Sequence, residues 1–147
     1  MNDYPPIILT DSSILFAYYS AQDNYHKSVC NFFEQCSSEL ITTIPCVTEV
    51  MYLLIRDYRT QNEFLNDLAQ KLYRCIPLIP EDFTRIRELN QQYADLPGDF
   101  ADLSLITISE RLNISSNITL DSDFDIYRRY RKQPFERLLK LKRFWRV

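Results

Sequence analysis

Short β-forming segments alternate with longer helical segments along this 147-residue chain, and no other feature limits its possible folds as strongly. The β-forming runs are apolar and stop at polar residues or prolines; they cover residues 6–10, 40–44, 76–80 and 118–120. Helical patterns cover residues 14–19, 26–36, 48–58, 61–74, 83–93 and 100–112. The prolines of the third β-forming run favour a position at the sheet edge. Strands that alternate with helices predict a single α/β domain with a mostly parallel central sheet flanked by helices.

The composition excludes several kinds of functional site. The chain has one glycine, Gly98, so it has no glycine-rich loop of the kind that binds nucleotide phosphates. It has one histidine, His26, which excludes metal sites built from several histidines. The four cysteines show no C-x-x-C spacing, and we expect small buried thiols in a reducing compartment. Any chemistry must therefore use carboxylates, hydroxyls, thiols or cations.

The sequence carries no sign of membrane targeting. Its first residues lack a basic stretch followed by an apolar one, and no run approaches the ~18 apolar residues of a membrane span. We therefore expect a cytoplasmic protein that does not bind membranes.

Charge is distributed unevenly along the chain. Residues 1–127 carry 8 Lys and Arg against 19 Asp and Glu, whereas residues 128–147 carry 9 against 1. The basic region also contains aromatic residues, a combination suited to contacting phosphates and stacking on bases. The alternative is a solvated helix or strand whose charges offset the acidic body. The sequence leaves both interpretations open.

Several acidic residues fall at the ends of predicted elements. Asp11 and Asp121 each follow a predicted strand, and ligands of parallel sheets bind beyond the carboxyl ends of the strands. The others lie in or near the first turn of predicted helices or just beyond the last strand. The complete set is Asp11, Glu49, Asp99, Asp102, Asp121 and Asp123.

These acids admit a structural interpretation and a catalytic one. Each of them can serve as a helix cap, a partner of the helix dipole or a turn residue. Clustered carboxylates, however, repel one another unless a cation neutralises them, and oxygen ligands favour Mg²⁺ or Mn²⁺. Such ions are typical of phosphodiester hydrolysis, in which they activate a water molecule. The pattern therefore predicts a metal-dependent hydrolase of phosphodiester bonds.

The motifs around these acids resemble those of the PIN-domain ribonucleases, and among them the VapC toxins. The similarity covers about residues 7–130 and rests on five segments in order: I-L-T-D-S-S from Ile8, D-x-x-H from Asp23, T-E-V from Thr48, D-F-A-D-L-S-L from Asp99 and T-L-D-S-D-F from Thr119. The last two segments are the most specific. Leu103 departs mildly from the family pattern, in which alanine is common.

The resemblance implies a PIN-type fold, metal-dependent endoribonuclease activity, homodimerisation and neutralisation by a cognate antitoxin. It assigns the metal to Asp11, Glu49, Asp102 and Asp121, with Asp99 and Asp123 as auxiliary ligands. The resemblance ends near Tyr130. We expect a nuclease domain over residues 1–130 and a basic aromatic extension over residues 131–147, packed on the same domain.

Two serines and the histidine admit more than one role, and the chain admits functions other than that of a toxin. Ser12 and Ser13 either cap a helix or hydrogen-bond a phosphate or a metal-bound water, and His26 suits packing or capping. A phosphatase or receiver-type site lacks its second aspartate here. The remaining alternatives are a catalytically silent docking module for RNA or protein and a nuclease of ordinary RNA processing.

Overall fold

The computed structural model describes residues 4–96, 99–120, 127–129 and 133–138. Its helices are α1 (Ser12–Tyr19), α2 (His26–Gln35), α3 (Ile44–Leu53), α4 (Tyr58–Ala69), α5 (Pro80–Gln92) and α6 (Phe100–Leu112). Its strands are β1 (Ile7–Thr10), β2 (Glu39–Thr43), β3 (Tyr73–Ile76), β4 (Ser116–Ile118), β5 (Arg128–Arg129), β6 (Gln133–Pro134) and β7 (Glu136–Arg137). None of these helices combines the length and apolar character that a membrane crossing requires.

Five parallel strands form the central sheet, in the order β3-β2-β1-β4-β7. Strand β1 lies in the middle and pairs with β2 on one side and β4 on the other. The chain therefore builds the sheet outward to β3 and then returns to the opposite side of β1. Open α/β sheets bind ligands where the strand order reverses, which is here at the carboxyl ends of β1 and β4. The predicted α/β fold with a mostly parallel sheet is confirmed.

The core has two layers, one on each face of the sheet. Successive strand residues point to opposite faces, so Ile8 packs with α1, α2 and α4 while Leu9 packs with α5 and α6. Helix α3 reaches both layers, because Val50 belongs to the first and Cys46 to the second. Helix α3 therefore packs against both layers of the core.

Helix α3 begins earlier than predicted, at Ile44 rather than at residue 48. The prediction that Pro45 ends the preceding strand is wrong, because this proline occupies the first turn of the helix, where its missing N–H is tolerated. Thr43 caps the helix by accepting a hydrogen bond from the backbone N of Cys46 at 3.5 Å. Glu49 consequently lies in the middle of α3, which excludes the interpretation of this residue as a first-turn dipole partner.

The boundaries around α4 and β3 also differ from the prediction. Helix α4 begins after Asp57, whose carboxylate accepts a hydrogen bond from the backbone N of Thr60 at 3.1 Å. The extended segment predicted over residues 76–80 is misplaced, because β3 ends at its first residue and Pro80 opens α5. Strand β3 does lie at one edge of the sheet, but the two prolines follow it.

Strand β4 ends at Ile118 rather than at Leu120. Leu120 and Thr119 are nevertheless fully buried beyond the strand. On its far side β4 pairs in parallel with β7, where Arg137 lies opposite Asn117. The described part of the basic region thus contributes a strand to the sheet beside β4.

Candidate functional site

Asp11 directly follows β1 and caps α1. Its Oδ1 accepts hydrogen bonds from the backbone N of Ile14 at 3.2 Å and from Oγ of Ser13 at 2.7 Å, and its Oδ2 accepts one from Oγ1 of Thr119. Asp11 is only 3% exposed, so these donors replace water around a buried carboxylate.

The hydroxyl groups around Asp11 connect it to the end of β4. Ser13 Oγ accepts a hydrogen bond from the backbone N of Leu120 at 2.9 Å and lies 3.5 Å from Thr119 Oγ1. This network fixes the chain as far as Leu120, the residue that precedes the predicted acid Asp121 in the sequence. Thr119 belongs to the last motif, but no pattern in the sequence indicates its contact with Asp11.

Glu49 projects from α3 toward the same site. Ser12 donates a hydrogen bond to its Oε1 at 2.9 Å. Partial burial and the neighbouring charge of Asp99 raise the pKa of Glu49 from 4.5 to about 7. The charge of Asp11 also raises this pKa, whereas the hydrogen bond from Ser12 lowers it. Three carboxylates from three distant segments therefore share one negatively charged region.

Asp99 and Asp102 lie at the start of α6. Asp99 is the N-cap, and its Oδ1 accepts a hydrogen bond from the backbone N of Asp102 at 2.8 Å. Asp102 is 7% exposed and therefore belongs to the interior, whereas Asp99 is exposed. Asp99 therefore does have the helix-capping role that the structural interpretation gave it. Its charge also acts on Glu49.

Cys46 lies beneath these acids. Burial raises the pKa of its thiol far above the ordinary value, a hydrogen bond with Thr43 opposes this, and the charges of Asp11 and then Asp102 raise it further. Thr43 Oγ1 also lies 2.7 Å from Ser104 Oγ, which joins α3 to α6. This contact holds α3, which carries Glu49, against α6, which carries Asp102.

Two of the six predicted ligands, Asp121 and Asp123, lie outside the described residues, as do the last two residues of the predicted turn at 96–98. Within the part of the chain that the structure describes, no group of three or more His, Cys, Asp or Glu side chains is arranged to hold a metal ion. One acidic region contains the four described acids, Asp11, Glu49, Asp99 and Asp102. Their roles as metal ligands stay predictions.

Ser12 and His26 have distinct positions. Ser12 bonds to Glu49, so it acts on a candidate ligand rather than on a helix end. His26 opens α2, and its Nδ1 lies 2.8 Å from the carbonyl oxygen of Ala17 in α1. The imidazole thus joins two helices, in agreement with the packing role expected from the sequence.

The fold was compared with solved structures. VapC20 of Mycobacterium tuberculosis, a toxin that cleaves the sarcin-ricin loop, is 17% identical, with a TM-score of 0.75 over 81% of this chain and 93% of that one. A toxin–antitoxin complex from Klebsiella pneumoniae is 16% identical, with a TM-score of 0.60 over 78% and 87%. VapBC2 of Rickettsia felis bound to promoter DNA is 12% identical, with a TM-score of 0.63 over 89% and 98%.

Sequence comparison gives the family. No curated protein sequence matches the chain. The model of the PIN domain family matches residues 8–130, which is most of the chain and includes all six predicted acids. The resemblance inferred from the motifs is therefore confirmed. This chain belongs to the PIN domain family.

Proposed function

We propose that this chain is a divalent-metal-dependent endoribonuclease and the toxin of a VapBC-type toxin–antitoxin pair. The observation that carries the proposal is the gathering of Asp11, Glu49 and Asp99 near the point where the strand order reverses. Mutual repulsion of these carboxylates brings no advantage to packing, whereas a bound cation would turn it into attraction. Relief of this repulsion by a bound cation supports a metal-dependent enzyme.

We assign the metal to Asp11, Glu49, Asp102 and Asp121, with Asp99 and Asp123 as auxiliary ligands. The donor set consists of carboxylate oxygens, which suit Mg²⁺ or Mn²⁺. When bound, such an ion orients a phosphodiester, lowers the pKa of a water molecule and stabilises the leaving oxygen.

The neighbouring residues keep these carboxylates in place. Ser13 and Thr119 donate to the two oxygens of Asp11 and thereby fix its orientation. Ser12 restrains Glu49 in the same way. Neither serine is assigned a nucleophilic role, since hydrolysis by this route needs no protein nucleophile. These residues therefore position the ligands for an RNA phosphodiester.

The proposed partners follow from the structural neighbours and the family. VapC20 is a toxin that cleaves the sarcin-ricin loop, which supports an RNA substrate. Two of the neighbours are toxin–antitoxin assemblies, which supports a cognate antitoxin. We further propose a homodimer, as the family resemblance implies. Residues 1–130 form the nuclease domain in this proposal, and residues 131–147 form an extension packed on it.

Cleavage of total RNA tests the proposed activity. Purified protein is incubated with Mn²⁺, with EDTA as the first control, and the fragment ends are mapped. Asp102→Asn removes a buried candidate ligand charge and should slow cleavage by about 100-fold or more, as expected when one electrostatic group is lost from an active site. Glu63→Gln, on the exposed face of α4, is the matched control and should cleave normally.

The outcomes separate the competing functions. Discrete cuts that disappear with EDTA and with Asp102→Asn support the nuclease. Intact RNA, together with no gain in Tm on addition of Mn²⁺, would instead identify a catalytically silent docking module. Growth arrest by the wild type, relieved by a co-expressed antitoxin, distinguishes a toxin from a nuclease of ordinary RNA processing.

A further inference from the structure

We propose that Phe83 and Phe100, here called the aromatic pair, stack a base of the RNA substrate beside the acidic site. The inference rests on the proposed function, because it names the residues that position a nucleotide next to the scissile phosphate. Phe83 lies near the start of α5, and Phe100 is the first residue of α6.

The two rings of the aromatic pair are about half exposed. Phe83 is 53% exposed and Phe100 is 47% exposed. Their ring centroids lie 6.3 Å apart, and the ring planes differ by only 17°. This is an offset stack, and an offset of this size leaves much of each ring face uncovered. The aromatic pair therefore presents a flat aromatic surface to the solvent.

The aromatic pair borders the acidic region. Phe100 directly follows Asp99, the cap of α6, so the two Cα atoms are about 3.8 Å apart. Asp102 comes two residues later and is buried. Asp99 in turn is close enough to Glu49 for its charge to act on that carboxyl group. A substrate held at these acids therefore lies beside the ring of Phe100.

A phosphodiester held at the acids brings its bases to the aromatic pair. In RNA each base is joined to its phosphate through a single sugar, so the two groups cannot lie far apart. Bases of single-stranded RNA are unstacked from one another and stack readily on aromatic side chains. The position of the pair next to the site therefore suits a base that flanks the scissile phosphate.

The size of the aromatic pair fits a base better than a protein partner. A phenylalanine side chain has about 150–250 Å² of surface, so two half-exposed rings together offer about 150–250 Å². A stable protein interface buries about 800 Å² on each partner. The rings are thus too small to hold a second protein by themselves, whereas a planar base needs only one ring face.

An exposed cation accompanies the pair on α5. Arg87 lies one helical turn after Phe83, so the two side chains are neighbours on one face of the helix. Asp82, the acidic residue next to Phe83, is buried and forms an ion pair with Arg111 at 3.2 Å. The guanidinium of Arg87 is therefore placed to attract the phosphate of a nucleotide that stacks on the pair.

Binding of RNA with and without bases tests the inference. The probes are a labelled oligoadenylate and an abasic ribose-phosphate chain of equal length. Affinity is measured by fluorescence anisotropy in Ca²⁺, an ion that carboxylate oxygens also bind, and a gel confirms that the probes stay intact. Phe83→Leu/Phe100→Leu removes both rings but keeps apolar side chains, and Phe83→Tyr/Phe100→Tyr keeps the rings. Tyr58→Leu removes an exposed ring from α4 and is the matched control; thermal melts confirm that all variants fold.

The leucine variant should lose affinity for the oligoadenylate by about 5- to 150-fold, which corresponds to about 1–3 kcal/mol for one stacked base. Its affinity for the abasic chain should stay unchanged. The tyrosine variant and Tyr58→Leu should bind both probes as the wild type does. Equal affinities of the wild type for the two probes, or equal losses for both probes in the leucine variant, overturn the inference.

Two further readouts separate the alternatives. A molar mass that falls in the leucine variant, measured by light scattering, shows that a second copy of the chain covers the rings and overturns the inference. Cleavage in Mn²⁺ tests the proposed function separately. Base-dependent binding through the pair by a protein that never cuts RNA rejects the nuclease, whereas cleavage by the wild type with unchanged binding in the leucine variant rejects only this inference.

Discussion

Replacing Asp99 by asparagine should stabilise the metal-free protein, although Asp99 caps a helix. Asp99 accepts a hydrogen bond from the backbone N of Asp102 at 2.8 Å, and asparagine caps helices about as well as aspartate. The substitution therefore keeps the cap and removes one negative charge from the neighbourhood of Glu49. Burial and then the charge of Asp99 are the largest causes of the raised pKa of Glu49.

The gain in stability should depend on pH, because Glu49 is repelled only when it is ionised. Its pKa is about 7 in the folded chain against an ordinary 4.5, so the folded state binds more protons than the unfolded state between these values. The free energy of unfolding therefore falls as pH rises through this window. Solvent screening limits the part due to Asp99 to about 0.5–1 kcal/mol. For a chain of this size this corresponds to a Tm shift of about 1–4 °C.

Thermal unfolding in EDTA measures this gain. Asp99→Asn should melt above the wild type at about pH 8, and the difference should shrink at about pH 5, where Glu49 of the wild type is protonated and Asp99 no longer repels it. Asp57→Asn is the matched control, because exposed Asp57 caps α4 through Thr60 and should give no gain at either pH. With Mn²⁺ the order should reverse, because the substitution removes a proposed auxiliary ligand and should weaken binding of the ion. A Tm for Asp99→Asn that falls with that of the control at pH 8 in EDTA would refute the repulsion.

The alternation of elements was predictable because it depends on local signals. Helix α6 has the predicted bounds, since Asp99 caps its first turn and Asn113, with a φ of 55°, ends it in the left-handed conformation. Strand β1 was placed correctly to within a residue, because an apolar run ends there at a capping aspartate. In both cases an aspartate at the boundary, Asp11 or Asp99, accepts a hydrogen bond from a free backbone N–H in the first turn of the helix that follows.

The start of α3 was not predictable from such signals. Pro45 is compatible both with the end of a strand and with the first turn of a helix, so the sequence does not choose between them. Tertiary contacts decide: Cys46 is fully buried, and Thr43 Oγ1 lies 2.7 Å from Ser104 Oγ on α6. Because α3 begins at Ile44, Glu49 lies in the middle of the helix, whereas the predicted bounds put it in the first turn.

The candidate site shows the same division. The acids could be predicted from the sequence, because they occur in motifs at the ends of predicted elements, in the same order as in the family. The contact between Thr119 and Asp11 joins residues 108 positions apart, and no local pattern reports it. Positioning residues of this kind are found only when the two strands are seen side by side.

Two further substitutions test contacts that hold the site and its supporting helices. Thr119→Val removes the buried hydroxyl that donates to Asp11, so it should lower the free energy of unfolding in EDTA by about 1.5–3 kcal/mol, measured by urea denaturation. Thr119→Ser keeps a hydroxyl and should retain most of the wild-type stability. Equal losses in the two variants would contradict the hydrogen bond. Glu110→Gln breaks the two-pronged ion pair in which Arg85 donates at 2.7 Å and 2.9 Å, joining α5 to α6. Because the Glu110 side chain is 3% exposed, the loss should again be about 1.5–3 kcal/mol. Glu88→Gln removes the exposed partner of the same arginine and should cost less than about 0.5 kcal/mol, so a similar loss in both variants would show that burial does not strengthen the pair.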